Sequence, residues 1–285
     1  MLDDHYLTLG LDALCRAHTM DYFADGHRGA AIVSAYYLCR ENEVEDGVAE
    51  ILAAMIDQHW AHTDLCAPLP DEPANAALVG RVRDTLDGNI GEYRGVGHNV
   101  IFPSLALKVF AHHPETITPA RVDGICKLIE AFGAPEGIEL DESDKFPDCD
   151  TRASMAEFIL AETLATMQRF IDHGQGWSGH MLTFGRALLD LDELGHTDLA
   201  LKGRHAFKQY VKRARMGPKD RDIVRPEHEP CAQRPLERAY WEQRRTGDVG
   251  IGHCFKYPYG FYGLIALAQD ADLKQRCLAE AYRVF

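Results

Sequence analysis

The sequence predicts an all-α protein closed into an α/α toroid of about four helical repeats, and three observations carry that reading. A Gly-His pair stands at the head of an apolar run four times. The flanking segments place apolar residues three and four apart, the spacing of one helix face. Strand signals are poor, since no long run alternates cleanly and no Asn-Gly or Asp-Gly turn sits between β-branched segments.

The pairs are Gly26-His27 ahead of AAIVSAYYL, Gly97-His98 ahead of VIFPSLALKVF, Gly179-His180 ahead of MLTFGRALLDL and Gly252-His253 ahead of CFKYPYGFYGLI. With 24 Gly and 14 His, composition alone gives roughly one such dipeptide, whereas the chain has five. Before each pair a helix is expected, over 4–22, 75–90, 154–171 and 234–245. After each run comes a polar break, at Glu41-Asn42, His113-Pro114, Gly195-His196 and Asp270-Ala271. A second amphipathic helix then begins near Val44, Thr118, Asp198 and Asp272, as in Val48, Ile51, Leu52 and Met55.

Each repeat therefore reads as helix, glycine-containing loop, Gly-His-headed buried helix, turn and amphipathic helix. The copies span about 1–66, 67–137, 151–216 and 232–285 in one domain, 1–285. The terminal copies are as apolar as the middle ones and lack the polar outer face of a solenoid cap, which favours closure. Two stretches break the helical texture, 133–150 (GAPEGIELDESDKFPDCD) and the proline-rich 212–235. Both exceed ordinary connection lengths and are expected to be lids or disordered loops.

A formal charge of −14 argues against a nucleic-acid surface, where a basic stripe is expected. Eight scattered Cys without a Cys-x-x-Cys pair read as reduced thiols of a cytoplasmic protein. The opening MLDDHYLTLG is acidic and lacks the basic region of a secretory leader, and the apolar runs are too short for a membrane span. No P-loop, GxGxxG, HExxH or GxSxG is present, which sets aside the common nucleotide, zincin and serine-hydrolase readings.

Glycine can take the positive φ needed to enter a helix sharply. The following His then lies in the first turn, where the helix dipole disfavours imidazolium and leaves a base, donor or metal ligand. If the buried helices run the same way around a ring, His27, His98, His180 and His253 line one cavity. Glu92 and His173 in the preceding loops join them as candidate acid-base groups, and Arg94, Asn99, Tyr93, Trp177 and Tyr257 as candidate substrate-binding groups. Lys256 and Tyr259 follow the last pair closely and bring further polar groups. Any single His could instead close its own hairpin by bonding a loop carbonyl, since buried polar groups usually find partners.

WSGHMLTFGRALLDL and GHNVIFPSLALKVF resemble the Gly-His motifs heading inner helices in the N-acylglucosamine 2-epimerase family. That resemblance implies an α/α barrel with His acid-base catalysts acting on a sugar. The family motif continues His-x-Ile/Leu-Glu, but Met181-Leu182-Thr183 and Asn99-Val100-Ile101 stand here, so the acidic partner is missing. His27 with AAIVSAYYL and His98 with VIFPSLAL also resemble the His-headed helices of questin-oxidase-like proteins.

The leading expectation is a His-lined enzyme of isomerase, lyase or hydrolase type acting on a small polar substrate, with carbohydrates as candidates. The alternative is a divalent-metal enzyme, an oxygenase or hydrolase, with His27, His98, His180 and His253 as ligands. A helical scaffold binding a protein partner is the third; neither oligomeric state nor reaction type is fixed by the sequence.

Overall fold

The computed structural model describes residues 1–219, 224 and 228–285. It is all-helical, with twelve α-helices and no β-strand among the described residues. No helix among them is long and apolar enough to cross a membrane.

The helices fall in the expected order. Those preceding the Gly-His helices are α1 (Asp4–Arg16), α4 (Val79–Ile90), α7 (Arg152–Arg169) and α10 (Arg238–Arg244). The Gly-His helices are α2 (Tyr22–Glu41), α5 (His98–His112), α8 (Gly176–Glu193) and α11 (His253–Leu267). Following them are α3 (Val48–Ile56), α6 (Pro119–Ala131), α9 (Thr197–Arg215) and α12 (Ala271–Glu280).

Local chemistry sets several starts. Asp3, Asp21 and Asp270 cap α1, α2 and α12 by accepting from backbone N–H groups one or two residues into each helix. Thr118 caps α6, whose first residue is Pro119, and Thr151 with Ser154 forms a reciprocal box at α7.

The Gly-His helices form the core. Every residue of α5 from His98 to Phe110 is buried, and α2 packs on α5 and α11 while α8 packs on the same two. Outside them lie α1 against α2, α6 against α1 and α4, and α7 and α9 against α8.

Gly97 and Gly252 precede their helices in the left-handed region, with φ of +85° and +91°, as the turn argument requires. Gly26 and Gly179 do not: they lie inside α2 and α8, because capping by Asp21 and the turn at Gln175 start these helices earlier. What the four glycines share is close approach. A Cβ at Gly26 would overlap Phe102 of α5, at Gly97 Phe184 of α8, at Gly179 Tyr257 of α11, and at Gly252 Ala31 of α2. Each intruding residue stands four positions after its own helix's histidine.

Gly179→Ala should therefore destabilise the protein by about 1–3 kcal/mol despite alanine's better helix propensity. Gly88→Ala in α4, where nothing lies within 4 Å of the added carbon, should stabilise it by about 0.5–1 kcal/mol. Urea melts of the two variants check the contrast.

The stretch 133–150 is stitched to α9. Gln209 Nε2 donates to the Ile138 carbonyl at 2.7 Å, and Arg204 to that of Cys149 at 3.0 Å. Lys212 Nζ reaches Asp141 and Asp144 at 2.8 and 2.7 Å. Of 212–235, the first residues complete α9 to Arg215, and 220–223 and 225–227 lie outside the described residues.

Candidate functional site

The four histidines converge. Ring centroids are 4.0 Å apart for His27 and His98, 4.6 Å for His98 and His180, 4.9 Å for His180 and His253, and 5.1 Å for His27 and His253. Even His27 and His180 are only 5.8 Å apart. His98 and His253 are the first residues of their helices, whereas His27 and His180 sit one turn inside theirs. The dipole argument consequently applies in full to two of the four.

Three of the rings point their Nδ1 back to a carbonyl three or four residues earlier in the chain. His27 Nδ1–H donates to the Phe23 carbonyl at 2.6 Å, His98 to Gly95 at 2.6 Å and His180 to Gly176 at 2.7 Å. A carbonyl can only accept, so each Nδ1 carries the proton and each Nε2 keeps its lone pair. Nε2 of His27 and of His180 is buried without a hydrogen-bond partner. His98 Nε2 meets Lys256 Nζ at 3.4 Å. Ligand atoms of His27, His98 and His180 lie within 4.8 Å of one another.

The walls are aromatic. Phe23 lies 4.6 Å from His27 and 4.9 Å from His98, and Phe102 lies 4.9 Å from His98. Tyr257 stacks on His253 at 4.7 Å, and its hydroxyl comes within 3.3 Å of His180 Nδ1. Burial, with the neighbouring Lys256 amine adding to it, pushes His180 down to about 3 and His27 well below the ordinary imidazole range. His98 is lowered by burial and then by His27 and Lys256, while burial alone pushes Lys256 down. His27, His98 and His180 are thus neutral imidazoles of fixed tautomer beside a buried amine.

Of the other residues singled out from sequence, Tyr257 joins the cluster. Glu92 is exposed and accepts from Gln209 Nε2 at 2.8 Å. Arg94 donates to the Gly133 and Asn89 carbonyls at 2.8 and 2.6 Å, and Asn99 to Asn89 Oδ1 at 2.9 Å. Tyr93 and Trp177 both lie against Tyr210, at 5.6 and 5.3 Å. His173 Nδ1 donates to the Ile171 carbonyl at 2.8 Å. None of these six makes a described contact with the four imidazoles: their bonds fasten loops to α9 and to neighbouring turns.

Lys256 belongs to the site and was legible only as one flanking polar group. Its signal is a lone cation in an otherwise apolar, aromatic run. The same signal marks a second cluster toward the other end of the core helices. There Asp190 accepts from Arg186 Nε at 2.8 Å, from Lys108 at 3.1 Å and from the Tyr259 hydroxyl at 2.5 Å. Glu41 bridges Lys108 at 2.5 Å and Arg186 at 3.0 Å. Lys108 sits 4.8 Å over the Tyr37 ring.

Comparison with protein-family models, curated proteins and solved structures finds no match for this chain.

Proposed function

We propose that the protein is a metal-dependent enzyme, with His27, His98 and His180 holding one divalent transition ion through Nε2 and His253 flanking it. The observation that carries this reading is the triple Nδ1–H to carbonyl arrangement, which leaves Nε2 as the donor atom of each ring, unpartnered in His27 and His180 and beside Lys256 Nζ in His98, with ligand atoms of the three rings within 4.8 Å of one another. Metal-binding histidines commonly use that second bond to fix tautomer and ring orientation. Imidazole donors suit Zn, Fe, Ni or Cu, and three protein ligands leave a position open for a small ligand. Bound there, the ion would supply Lewis acidity for hydrolase or oxygenase chemistry.

Acid-base catalysis on a sugar keeps one observation in its favour, the Lys256 amine beside His98. It requires substrate to part rings already in contact, which weighs against it. The same reading takes α2, α5, α8 and α11 as the inner wall of a closed α/α toroid of four repeats. Its support is the cycle of glycine contacts from α2 to α5, α8, α11 and back to α2.

Elemental analysis of purified protein tests the reading. About one Zn, Fe, Ni or Cu per chain, removed by chelator and restored on addition, is expected. Protein that stays metal-free after incubation with all four ions would return the histidines to acid-base work.

A further inference from the structure

The interior of the four core helices stays polar beyond the imidazoles. Ser34 of α2, Ser104 of α5, Thr183 of α8 and Lys256 of α11 line one interior cavity with Asp190 and Tyr259, among apolar neighbours such as Leu105. All of them are buried. The cavity holds about 10 Å³, close to one water position. Apolar packing of such a core would be the stable default, since buried polar groups cost free energy unless bonded. Here each of the four helices contributes at least one polar group, the Ser104 and Thr183 hydroxyls donating to carbonyls of their own helices.

Two of its lining residues connect the cavity to neighbouring sites. Lys256 also touches His98 Nε2. Asp190 also lines an outer pocket of about 350 Å³, together with Glu41, Lys108, Arg186 and Leu267. Glu41 is the exposed member of the ionic cluster, at 28% side-chain exposure against 5% for Lys108 and 2% for Asp190. It ends α2 and closes over Lys108 and Arg186.

We propose that this polar axis is the access route by which a water-sized ligand reaches the histidine-bound metal, with Glu41 as its outer gate. The route rests on the metal reading above. It runs from the outer pocket past Glu41, along Lys108, Asp190 and Tyr259, through the serine- and threonine-lined cavity, to Lys256 and the imidazoles. A larger substrate does not pass, so the ligand delivered is of the size of water, or a linear anion of similar width.

The test uses full-length protein loaded with Co²⁺ and follows azide binding by its visible absorption in stopped flow. Ser104→Leu fills the cavity, and Glu41→Ala opens the gate at a half-exposed position that any fold tolerates better. Both variants should take up Co²⁺ as the parent does. Azide association should slow by about tenfold or more in Ser104→Leu and quicken in Glu41→Ala. Should Ser104→Leu fail to fold, the Glu41→Ala rate decides alone. Co²⁺-loaded variants with the parent's azide rate would overturn the route and leave the metal centre standing. A parent chain that takes up no Co²⁺ would overturn the metal reading, and the route with it.

Discussion

His98→Ala should, on the proposed metal reading, lower Zn²⁺ or Co²⁺ affinity by at least about 100-fold, beyond what loss of a supporting bond alone does. His98 is the central ring of the trio, 4.0 Å from His27 and 4.6 Å from His180. Its removal takes one of three donors and leaves Lys256 Nζ facing a void. His98→Gln keeps much of the volume and a hydrogen-bonding group but offers no imidazole, so it should lose metal equally. A purely structural histidine would be largely rescued by glutamine. His253→Ala should lose less, because His253 flanks the trio without belonging to it. Competition titration against a chromophoric chelator reads all three, with circular dichroism reporting the fold. Equal affinity in parent and His98→Ala would sink the assignment.

Asp190→Ala should destabilise the protein by about 3 kcal/mol, because it leaves two buried cations, Arg186 and Lys108, sharing only the half-exposed Glu41. Lys108→Met combined with Asp190→Ala should recover part of that loss, since one buried cation then remains for Glu41 instead of two. The pH dependence follows from the same geometry. Burial pushes the Asp190 carboxyl up, but Arg186, Lys108 and the Tyr259 hydroxyl outweigh it and hold it below the ordinary value of 3.8. A group depressed in the folded state stabilises fully above its unfolded pKa and loses that contribution as pH falls toward the folded one. Urea melts of the parent should therefore weaken as pH drops below about 4, by more than those of Asp190→Asn. Parallel slopes for the two proteins would show that Asp190 is already neutral in the parent.

Helix identity and order were legible because apolar periodicity and caps are local. Asp21, Thr118 and Asp270 sit beside the helices they start, and the Gly-His runs mark the four helices of the core. Helix starts were less so. Gly26 and Gly179 look like loop glycines until the cap at Asp21 and the turn at Gln175 place them inside helices, where they serve contact with the next helix. Convergence of the four histidines was expected from the repeat, but it was tied to a cavity, and the rings instead touch. Lys256, Lys108, Arg186 and Asp190 show the limit most plainly. A charge inside an apolar run announces a buried partner without naming it, and the partners here lie up to 158 residues away.

The glycine contacts carry one more consequence. Each core helix is at once socket, through its glycine, and knob, through the residue four positions past its histidine. No helix can retreat from an oversized neighbour without withdrawing its own knob from the next socket. A misfit at one corner is thus handed on around all four, and it returns to its origin with nowhere left to go. The histidines stand one residue from the sockets, so the spacing of the imidazoles and the tightness of the core are one adjustment: a substitution that loosens any corner should blur the imidazole spacing at every other.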